Sequence, residues 1–393
     1  MSEQRLLTIN TGSSSLKATL YTYPSLALDA TARAERIGQP GSRLNVRLAS
    51  DDDSEERAGE LPDHAAAMRA LLDWLRERGL AQQLAAVGHR IVHGGAEYRD
   101  PQGVTPALVA ALHALVPIDP DHLPQALAAI AATSAAYSDI PQFACFDTAF
   151  HRTMPPVAQR YALPHRFAED GVLRYGFHGL SYESILDQLR DVDPNTVTGR
   201  LIIAHLGNGA SMVAVLNGAS VETTMGFTPT GGLVMGTRTG DLDPGVLLYL
   251  LQHEGLDAAA VSELVNRQAG LLAVSETSSD MRDLLERAAR DPRAALAVAL
   301  FCYQAKKYLG ALAAVLGGLD TLVFTGGIGE HAAPVRAEIC AGLGFLGIEL
   351  DRGRNTVHAP IISADGSAVT VRVIPTDEDR VIARHTARLL MRA

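Results

Sequence analysis

The sequence predicts an α/β fold that consists of two related domains, with the functional site in the cleft between them. The chain has 393 residues, more than a single hydrophobic core usually holds, so its length favours at least two domains. Residues 201–223 have the pattern of an apolar strand, a polar glycine turn and a second strand, and residues 6–21 repeat that order. Two domains of the same plan would each present a glycine turn to one ligand held between them.

The composition excludes several classes of protein. Apolar residues make up 47% and charged residues 20%, which is typical of a globular protein with a sizeable core. The net charge of −10 argues against a general binder of nucleic acids or anionic membranes, because such proteins rely on an excess of Lys and Arg. Cys145, Cys302 and Cys340 lack the spacing of a metal site and favour a reducing compartment. We therefore expect neither a nucleic-acid nor a membrane partner.

No stretch of the sequence predicts export or membrane insertion. Residues 1–20 lack a basic start that leads into an apolar run and a cleavage site. The most apolar later stretch, residues 294–319, is interrupted by Lys306 and Lys307 and predicts a pair of buried amphipathic helices. These observations favour a cytoplasmic location.

The first domain is predicted to alternate strands with helices. Residues 44–48 alternate apolar and polar side chains, as in a half-buried strand. A helix begins after Asp63 and ends at Gly79, and another begins at Thr105, which precedes a proline. The proline-rich link at residues 154–156 predicts the domain boundary.

We expect an N-terminal domain over residues 1–152 and a second domain over residues 153–380. The tail rich in Arg, Ala and Leu predicts a closing helix over residues 381–393, which we assign to the first domain.

Two charged residues lie where predicted strands end. Arg90 follows a short apolar strand and precedes a double glycine, and two interpretations stay open for it: a buried structural salt bridge, or a site for a small carboxylate or phosphate. Asp147 ends the apolar strand of residues 142–146, at the end where ligands bind in open α/β sheets. It is a candidate for contact with Mg²⁺, water or substrate, and the alternative is a cap of the next turn.

The glycine turn of residues 205–211 is a candidate phosphate site. Gly207 and Gly209 allow positive φ and let backbone N–H groups approach an anion closely. On its own, such a turn is more often the tip of an ordinary hairpin. The repeat in residues 6–21 favours the phosphate interpretation.

The second half contains further glycine-rich segments beside polar residues. His178 lies between glycines, although a lone histidine is more often structural, and Arg238 lies in a glycine-rich loop whose alternative is a plain surface loop. Residues 278–283 predict a helix N-terminus, a natural contact for an anion or a ribose. Residues 321–331 predict a buried strand that ends in a glycine loop before a helix, where a nucleotide could bind.

Taken in order, these segments resemble the acetate kinase family over nearly the whole chain. The matching segments are residues 10–17, 88–95, 147–151, 175–179, 205–211, 235–238, 279–282, 326–330 and 375–378. The resemblance implies two duplicated ribonuclease H-like domains of the acetate and sugar kinase, heat-shock ATPase and actin superfamily. It also implies a homodimer that transfers the γ-phosphoryl group of ATP directly and reversibly to acetate. The products are acetyl phosphate and ADP, and the reaction depends on Mg²⁺, with Mn²⁺ as the alternative ion.

The resemblance implies binding roles for individual residues. It places Asn10 and Glu378 at the metal, Lys17 at a phosphate, and Arg90 at the substrate carboxylate, where Arg90 also takes part in catalysis. The implied nucleotide contacts are His205, Leu206, Gly207, Asn208, Gly209, Asp280, Met281, Arg282, Gly326, Gly327, Ile328, Gly329 and Glu330. The implied pocket for the methyl group consists of Val92, Ile118, Phe177 and Pro229.

The resemblance also implies catalytic roles. Asp147 corresponds to the catalytic aspartate of the family, and His178 and Arg238 to groups that stabilise the transferring phosphoryl group. Acetate is already ionised at neutral pH and offers no proton. We therefore expect Asp147 to orient Arg90 or a metal-bound water rather than to accept a proton.

One segment departs from the family pattern. Where the family commonly has Pro-Leu-His-Asn-Pro, residues 117–124 place Asp119 at the histidine position and His122 in a longer loop. An acid there affects the shape of the pocket, so a propionate or other short-chain fatty acid kinase is the alternative activity. An actin-like or chaperone-like ATPase is the alternative from another class, because the fold alone does not distinguish it.

Overall fold

The computed structural model describes residues 4–51, 53–57 and 59–392. They form two compact units. Unit 1 comprises the described residues of Met1–Ala149 and of Asp377–Ala393, and unit 2 comprises Phe150–Thr376. The C-terminal segment therefore packs with the N-terminal part of the chain.

Unit 1 contains, among its described residues, an eight-stranded mixed sheet. Its strands are β1 Gln4–Thr11, β2 Ser15–Tyr23, β3 Ala27–Glu35, β4 Arg43–Leu48, β5 Glu55–Arg57, β6 Leu84–Ile91, β7 Gln102–Gly103 and β8 Gln142–Phe146. They are arranged in the order β5-β4-β3-β2-β1-β6-β8-β7. β1, β6 and β8 are parallel, so their carboxyl ends lie at the same edge of the sheet.

Unit 2 contains a five-stranded sheet of the same plan. Its strands are β9 Arg200–Leu206, β10 Ala210–Leu216, β11 Ala219–Thr223, β12 Thr321–Thr325 and β13 Thr370–Val373. An antiparallel meander of β11, β10 and β9 is followed by the parallel strands β12 and β13, just as β3, β2 and β1 are followed by β6 and β8. This duplication confirms the predicted α/β fold of two related domains.

Helices cover both sheets. In chain order they are α1 His64–Glu77, α2 Pro106–Leu115, α3 Leu123–Ala136, α4 Pro156–Gln159, α5 His165–Glu169, α6 Gly179–Val192, α7 Pro194–Thr198, α8 Pro244–Gln252, α9 Ala258–Arg267, α10 Gly270–Ser275, α11 Met281–Arg287, α12 Pro292–Leu316, α13 Gly326–His331, α14 Ala333–Cys340, α15 Arg352–Thr356 and α16 Glu378–Leu390. Short 3₁₀ helices cover Ala81–Gln83, Asp147–Thr153 and Gly344–Leu346.

Each sheet has its own hydrophobic core. In unit 1, Leu71 and Trp74 of α1 pack with Leu7 of β1. In unit 2, Leu186 of α6 packs with Ile203 of β9. β9 and β12 are buried almost throughout because helices cover both faces of their sheet, which explains their continuous apolar sequences.

The predicted pair of helices over residues 294–319 is wrong. Residues 294–316 belong to α12, a single helix of 25 residues that begins at Pro292 after the cap residue Asp291 and ends at Leu316. Its interior glycine, Gly310, lowers helix propensity by about 1 kcal/mol, which is not enough to end a helix of this length. Within the described ranges, no helix combines the length and the apolar character that a bilayer-spanning segment needs.

Candidate active site

Three parallel strands of unit 1 end at one edge of the sheet and bring polar residues together there. Asn10 lies near the end of β1, Arg90 near the end of β6, and Asp147 directly follows β8. Glu378, the first residue of α16, joins them through a hydrogen bond from Asn10 Nδ2 at 3.0 Å. We call these four residues the unit 1 cluster.

Arg90 is the centre of the unit 1 cluster. Its Nε donates to Asp147 Oδ1 at 3.0 Å and its Nη2 donates to Asp147 Oδ2 at 2.6 Å, which makes a bidentate pair. Its Nη1 donates to Asn10 Oδ1 at 3.0 Å and lies 3.6 Å from Glu378 Oε2. One N–H on each terminal nitrogen has no hydrogen-bond partner among the described residues. The Arg90 side chain is 16% exposed whereas that of Asp147 is fully buried, so Arg90 can still bind a ligand.

Burial and charge act against each other at the Arg90–Asp147 pair. Burial by itself would lower the pKa of Arg90, but the carboxylates of Asp147 and Glu378 outweigh it and raise that pKa. Burial raises the pKa of Asp147, and the charge and hydrogen bonds of Arg90 oppose this rise. Arg90 therefore stays positively charged, and Asp147 is the group that fixes its position.

Two further charged residues lie beside the unit 1 cluster. Lys17 is exposed and lies opposite Asn10 in the β1–β2 pair. Asp379 follows Glu378 and accepts a hydrogen bond from Thr19 Oγ1 at 3.1 Å, while its Oδ1 is buried without a partner among the described residues. Burial raises the pKa of Asp379, and the charge of Lys17 opposes that rise. The sequence analysis did not single out Asp379.

The donor set of the unit 1 cluster fits Mg²⁺. Asn10 and Glu378 offer an amide and a carboxylate oxygen, which are hard ligands of the kind that Mg²⁺ prefers. Over the described ranges no group of three or more His, Cys, Asp or Glu side chains could hold a metal ion. A site with few protein ligands suits Mg²⁺, since this ion keeps several waters and binds substrate phosphates as well.

The divergent segment of residues 117–124 forms a second pair of polar side chains in unit 1. Asp119 is 2% exposed, and its Oδ1 accepts a hydrogen bond from His122 Nδ1 at 2.7 Å. The charge of His122 is among the smaller influences that lower the pKa of Asp147, after the larger effects of burial and Arg90. The structure thus pairs Asp119, which takes the histidine position of the family pattern, with His122 of the longer loop.

The glycine turn between β9 and β10 of unit 2 lies beside two histidines. His178 precedes α6 and His205 belongs to β9, and their rings stack with centroids 4.2 Å apart. A Cβ atom at Gly209 would lie 3.3 Å from His178 Nε2 and 3.8 Å from Arg238 Nη1. Arg238 Nη1 also donates to the carbonyl of Pro229 at 3.1 Å. The turn, one imidazole ring and one guanidinium therefore lie together, and the lack of a side chain at Gly209 keeps the space between them open.

A cavity of about 420 Å³ in unit 2 contains many of the predicted nucleotide contacts. Those that line it are Gly207, Asn208, Asp280, Met281, Arg282, Gly327 and Ile328. Leu285, Ala332 and Pro334 give it an apolar wall. Its size and mixed lining are typical of a pocket for a nucleoside.

The remaining predicted nucleotide residues do not line this cavity. Leu206 is fully buried in β9, and Glu330 Oε1 accepts a hydrogen bond from the backbone N–H of Gly326 at 2.9 Å. The predicted glycine loop at residues 326–330 is wrong, because α13 begins at Gly326 itself. Gly326 has a φ of +76°, and a Cβ there would lie 2.8 Å from the carbonyl oxygen of Leu206, so glycine allows β12 to turn directly into the helix.

The four residues of the predicted methyl pocket are divided between the units. Val92 is buried and Ile118 half-buried in unit 1. Phe177 and Pro229 are buried in unit 2.

The sequence analysis missed the hydroxyl partners of the two histidines. Ser211 Oγ lies 2.8 Å from His178 Nδ1, and Ser181 Oγ lies 2.8 Å from His205 Nδ1. Ser211 is a polar residue in the otherwise apolar strand β10, and this was the available signal.

Comparison with known proteins agrees with the resemblance. The profile of the Acetokinase family matches residues 5–384. An acetate kinase of Rhodopseudomonas palustris (strain ATCC BAA-98 / CGA009) is 47% identical over 391 residues, which cover 98% of each chain. An acetate kinase of Rhizobium meliloti is 44% identical over 391 residues, again with 98% of each chain covered.

Solved structures show the same similarity. The crystal structure of Porphyromonas gingivalis acetate kinase is 39% identical with a TM-score of 0.88, over 98% of this chain and 100% of that chain. A propionate kinase from Francisella tularensis subsp. tularensis SCHU S4 is 32% identical with a TM-score of 0.92, over the same shares. Since the profile, the relatives and the solved structures agree over nearly its full length, the chain belongs to the acetokinase family.

Proposed function

We propose that this chain transfers the γ-phosphoryl group of ATP reversibly to acetate, which gives acetyl phosphate and ADP. Its family supports an ATP-using phosphotransferase with a carboxylate acceptor. The observation that carries the proposal is the hydrogen bonding of the Arg90 guanidinium. The buried carboxylate of Asp147 holds one side of it, and one N–H group on each terminal nitrogen remains available for a ligand. A guanidinium held in this way suits the two oxygens of a small carboxylate.

The proposed reaction moves no proton. One carboxylate oxygen of acetate forms a bond to the γ-phosphorus while the bond from that phosphorus to the β-phosphate oxygen breaks. The negative charge that acetate brings ends on acetyl phosphate and ADP, so the reaction needs no general base. Asp147 therefore acts by holding the guanidinium of Arg90 in place.

Unit 2 supplies donors for the transferring group in this proposal. The transition state of phosphoryl transfer spreads negative charge over the equatorial oxygens, and fixed donors around it provide most of the catalysis. His178 and Arg238 are such donors, and the backbone at Gly209 lies next to both. The 420 Å³ cavity would take the nucleoside, with Asn208 between it and the phosphates.

We assign Mg²⁺ to Asn10 and Glu378, and a phosphate to Lys17. The bound ion would neutralise charge on the phosphate oxygens and lower the repulsion of the incoming carboxylate. The hydrogen bond between Asn10 and Glu378 holds the two oxygen donors in one place, and Lys17 lies on the neighbouring strand. The metal assignment rests on the chemistry of these donors.

Propionate is the second candidate substrate, because a propionate kinase is among the solved structures that this chain resembles. One methylene in an apolar pocket changes binding by only about 1–3 kcal/mol, so activity on both acids is expected. The residues that the resemblance implies for the alkyl group remain Val92, Ile118, Phe177 and Pro229.

A homodimer and a cytoplasmic location are further parts of the proposal. α8 has no buried residue, and it exposes apolar side chains that include 54% of Leu248 and 51% of Tyr249. An exposed apolar helix of this kind is typical of an interface between proteins. Leu248→Glu should therefore give a monomer in light scattering, and an unchanged mass would contradict the assignment of this helix. The buried thiols of the chain fit a reducing compartment.

The test is an acyl-hydroxamate assay with ATP, Mg²⁺ and acetate, propionate or butyrate in turn. We expect hydroxamate with acetate, and ADP release that requires a carboxylate. An actin-like or chaperone-like ATPase would release ADP at the same rate without any carboxylate. That result would overturn the proposed function.

A further inference from the structure

Both histidines of the stacked pair in unit 2 are held at Nδ1 by a serine hydroxyl. Ser211 Oγ lies 2.8 Å from His178 Nδ1, and Ser181 Oγ lies 2.8 Å from His205 Nδ1. The hydroxyl of Tyr182 makes a hydrogen bond with Ser211 Oγ. Ser211, Ser181 and Tyr182 are all fully buried, so each ring is fixed from the interior of the unit.

The Nε2 atoms of both rings face the glycine turn between β9 and β10. A Cβ atom at Gly209 would lie 3.3 Å from His178 Nε2, and one at Gly207 would lie 3.9 Å from His205 Nε2. The ring planes differ by only 20°, and both Nε2 atoms lie near this one turn. This is the turn where the proposed function places phosphate oxygens.

The backbone of His178 also has an uncommon conformation. His178 has a φ of +59° and a ψ of +24°, in the left-handed region that residues other than glycine seldom adopt. Such a conformation persists where surrounding contacts hold it, and it is common at functional sites. The hydrogen bond to Ser211 is one such contact.

We propose that Ser211, Tyr182 and Ser181 are positioning residues. They make Nδ1 of each ring a hydrogen-bond acceptor, so that His178 and His205 each present a neutral Nε2–H to phosphate oxygens. The proposal rests on the proposed function, since it takes a phosphate as the group at the turn. It adds three hydroxyl groups that act through the histidines and do not touch the substrate.

The direction of the hydrogen bonds follows from donor strength. A phenol is a stronger donor than an aliphatic hydroxyl, so Tyr182 donates to Ser211 Oγ and the hydroxyl of Ser211 then donates to His178 Nδ1. A neutral imidazole that accepts at Nδ1 carries its proton at Nε2. Consecutive hydrogen bonds polarise one another, which strengthens this arrangement.

The neutral form also follows from the neighbouring charges. Two imidazolium rings with centroids 4.2 Å apart would repel each other, and the guanidinium of Arg238 lies on the same side of Gly209 as His178. An aligned neutral N–H still stabilises charge that develops in a transition state. The hydroxyl groups thus let two rings serve as donors where two cations would be costly.

Nitrogen NMR of the full chain labelled with ¹⁵N-histidine reads out these protons directly. We expect Nδ1 unprotonated and Nε2 protonated for His178 and His205 in the presence of Mg²⁺ and ADP, with assignment by His178→Gln and His205→Gln. Ser211→Ala should move His178 towards the form protonated at Nδ1 and leave His205 unchanged. A protonated Nδ1 on His178 in the unmodified chain would overturn the proposal.

Kinetics provide the second readout. Ser211→Ala should lower kcat by about 10- to 100-fold and leave the KM for acetate within about twofold, because a transition-state donor is misdirected. Tyr182→Phe should have a smaller effect, since Ser211 can still donate. The matched control is Ser220→Ala, which removes a buried serine that lies 2.9 Å from Nδ1 of another histidine, His151. An equal loss of kcat in the control would show a general structural effect and overturn the proposal.

The two readouts separate this proposal from the proposed function. A chain that shows the expected tautomers and their response to Ser211→Ala, but forms no acetyl phosphate, would support the positioning role and refute the kinase. A chain that forms acetyl phosphate normally, with neither readout changed in Ser211→Ala, would refute the positioning role alone.

Discussion

Replacement of Asp147 by asparagine tests whether this residue acts through Arg90. The variant Asp147→Asn keeps the shape of the side chain and one acceptor oxygen, but it removes the negative charge. In the unmodified chain, Arg90 Nη2 and Nε lie 2.6 Å and 3.0 Å from the carboxylate oxygens of Asp147. In the variant, an N–H₂ group would face one of these two nitrogens. The guanidinium should therefore lose its bidentate partner and shift.

The size of the effect follows from the geometry. A hydrogen bond between charged groups contributes about 1.5–3 kcal/mol, and removal of one partner of a buried ion pair costs about 3–5 kcal/mol. Asp147 is fully buried and Arg90 is 16% exposed, so this pair lies close to the buried limit. Glu378, at 3.6 Å from Arg90 Nη1, compensates part of the loss. We expect kcat/KM for acetate to fall by about 10²- to 10⁴-fold.

A double-mutant cycle identifies the route of the effect. Arg90→Ala removes the guanidinium, and Asp147→Asn is then introduced both alone and in that background. If Asp147 acts by holding Arg90, the second change should cost less than about tenfold once Arg90 is absent. Thermal unfolding of each variant controls for loss of the folded state.

Two results would refute this reasoning. One is additive costs in the cycle, which would give Asp147 a role of its own. The other is a pH–rate profile in which an essential base titrates near neutrality and disappears in Asp147→Asn, which would make Asp147 a proton acceptor.

Three further predictions concern other residues. Burial lowers the pKa of His89 from 6.5 to about 4, although the hydrogen bond from its Nε2 to Gln142 Oε1 opposes this effect. The unfolded chain therefore binds this proton at a higher pH than the folded chain, and stability is lost as the pH falls from 6.5 towards 4. In the unmodified chain this proton should lower the free energy of unfolding by about 1.6 kcal/mol between pH 6.5 and pH 5, and His89→Gln should lack that loss in urea unfolding. Glu378→Gln should raise the Mg²⁺ concentration for half-maximal rate by about tenfold or more in a metal titration. Gly209→Ala places a methyl group 3.3 Å from His178 Nε2, so its kcat should fall by about tenfold in the hydroxamate assay, because the ring must move.

Each of these predictions has a contrary outcome. Parallel pH profiles of His89→Gln and the unmodified chain would contradict the first. The control for Glu378→Gln is Glu263→Gln, at an exposed pair with Arg267, and equal Mg²⁺ requirements in both would contradict the second. Normal turnover of Gly209→Ala would show that His178 does not need its observed place.

The sequence predicted the duplicated fold because a buried strand and a glycine turn leave a local pattern. β9 and β12 are continuous apolar runs, and the turns after β1 and β9 contain glycines, so the repeat was visible without any pairing partner. The sequence predicts two helices where α12 is a single helix of 25 residues, because the polar residues in its middle resemble an interruption. Tertiary packing decides whether such a run continues, and a local pattern does not contain that information.

Parts of the site were predictable for the same local reason. Arg90 and Asp147 stood out because each follows a predicted strand, and parallel strands bring their carboxyl ends to one edge. Ser181 carries no such signal, and Ser211 differs from its neighbours only as a polar residue in the apolar strand β10. The role of each serine depends on which ring lies across from its hydroxyl. The sequence does not distinguish Asp379 from the adjacent Glu378, because it does not show which of two neighbouring carboxylates is buried.

The charges of the unit 1 cluster explain why the two units would need different kinds of donor. Asp147 and Glu378 set two carboxylates against the single guanidinium of Arg90, so the cluster by itself carries a net negative charge. Such a cluster repels acetate and phosphate unless a divalent cation joins it, which is why removal of the charge of Glu378 should weaken Mg²⁺ binding. At the glycine turn of unit 2 the balance is reversed, because Arg238 brings a positive charge close to His178. Neutral imidazole donors avoid an excess of cations there, and their aligned N–H groups can still stabilise an anionic group.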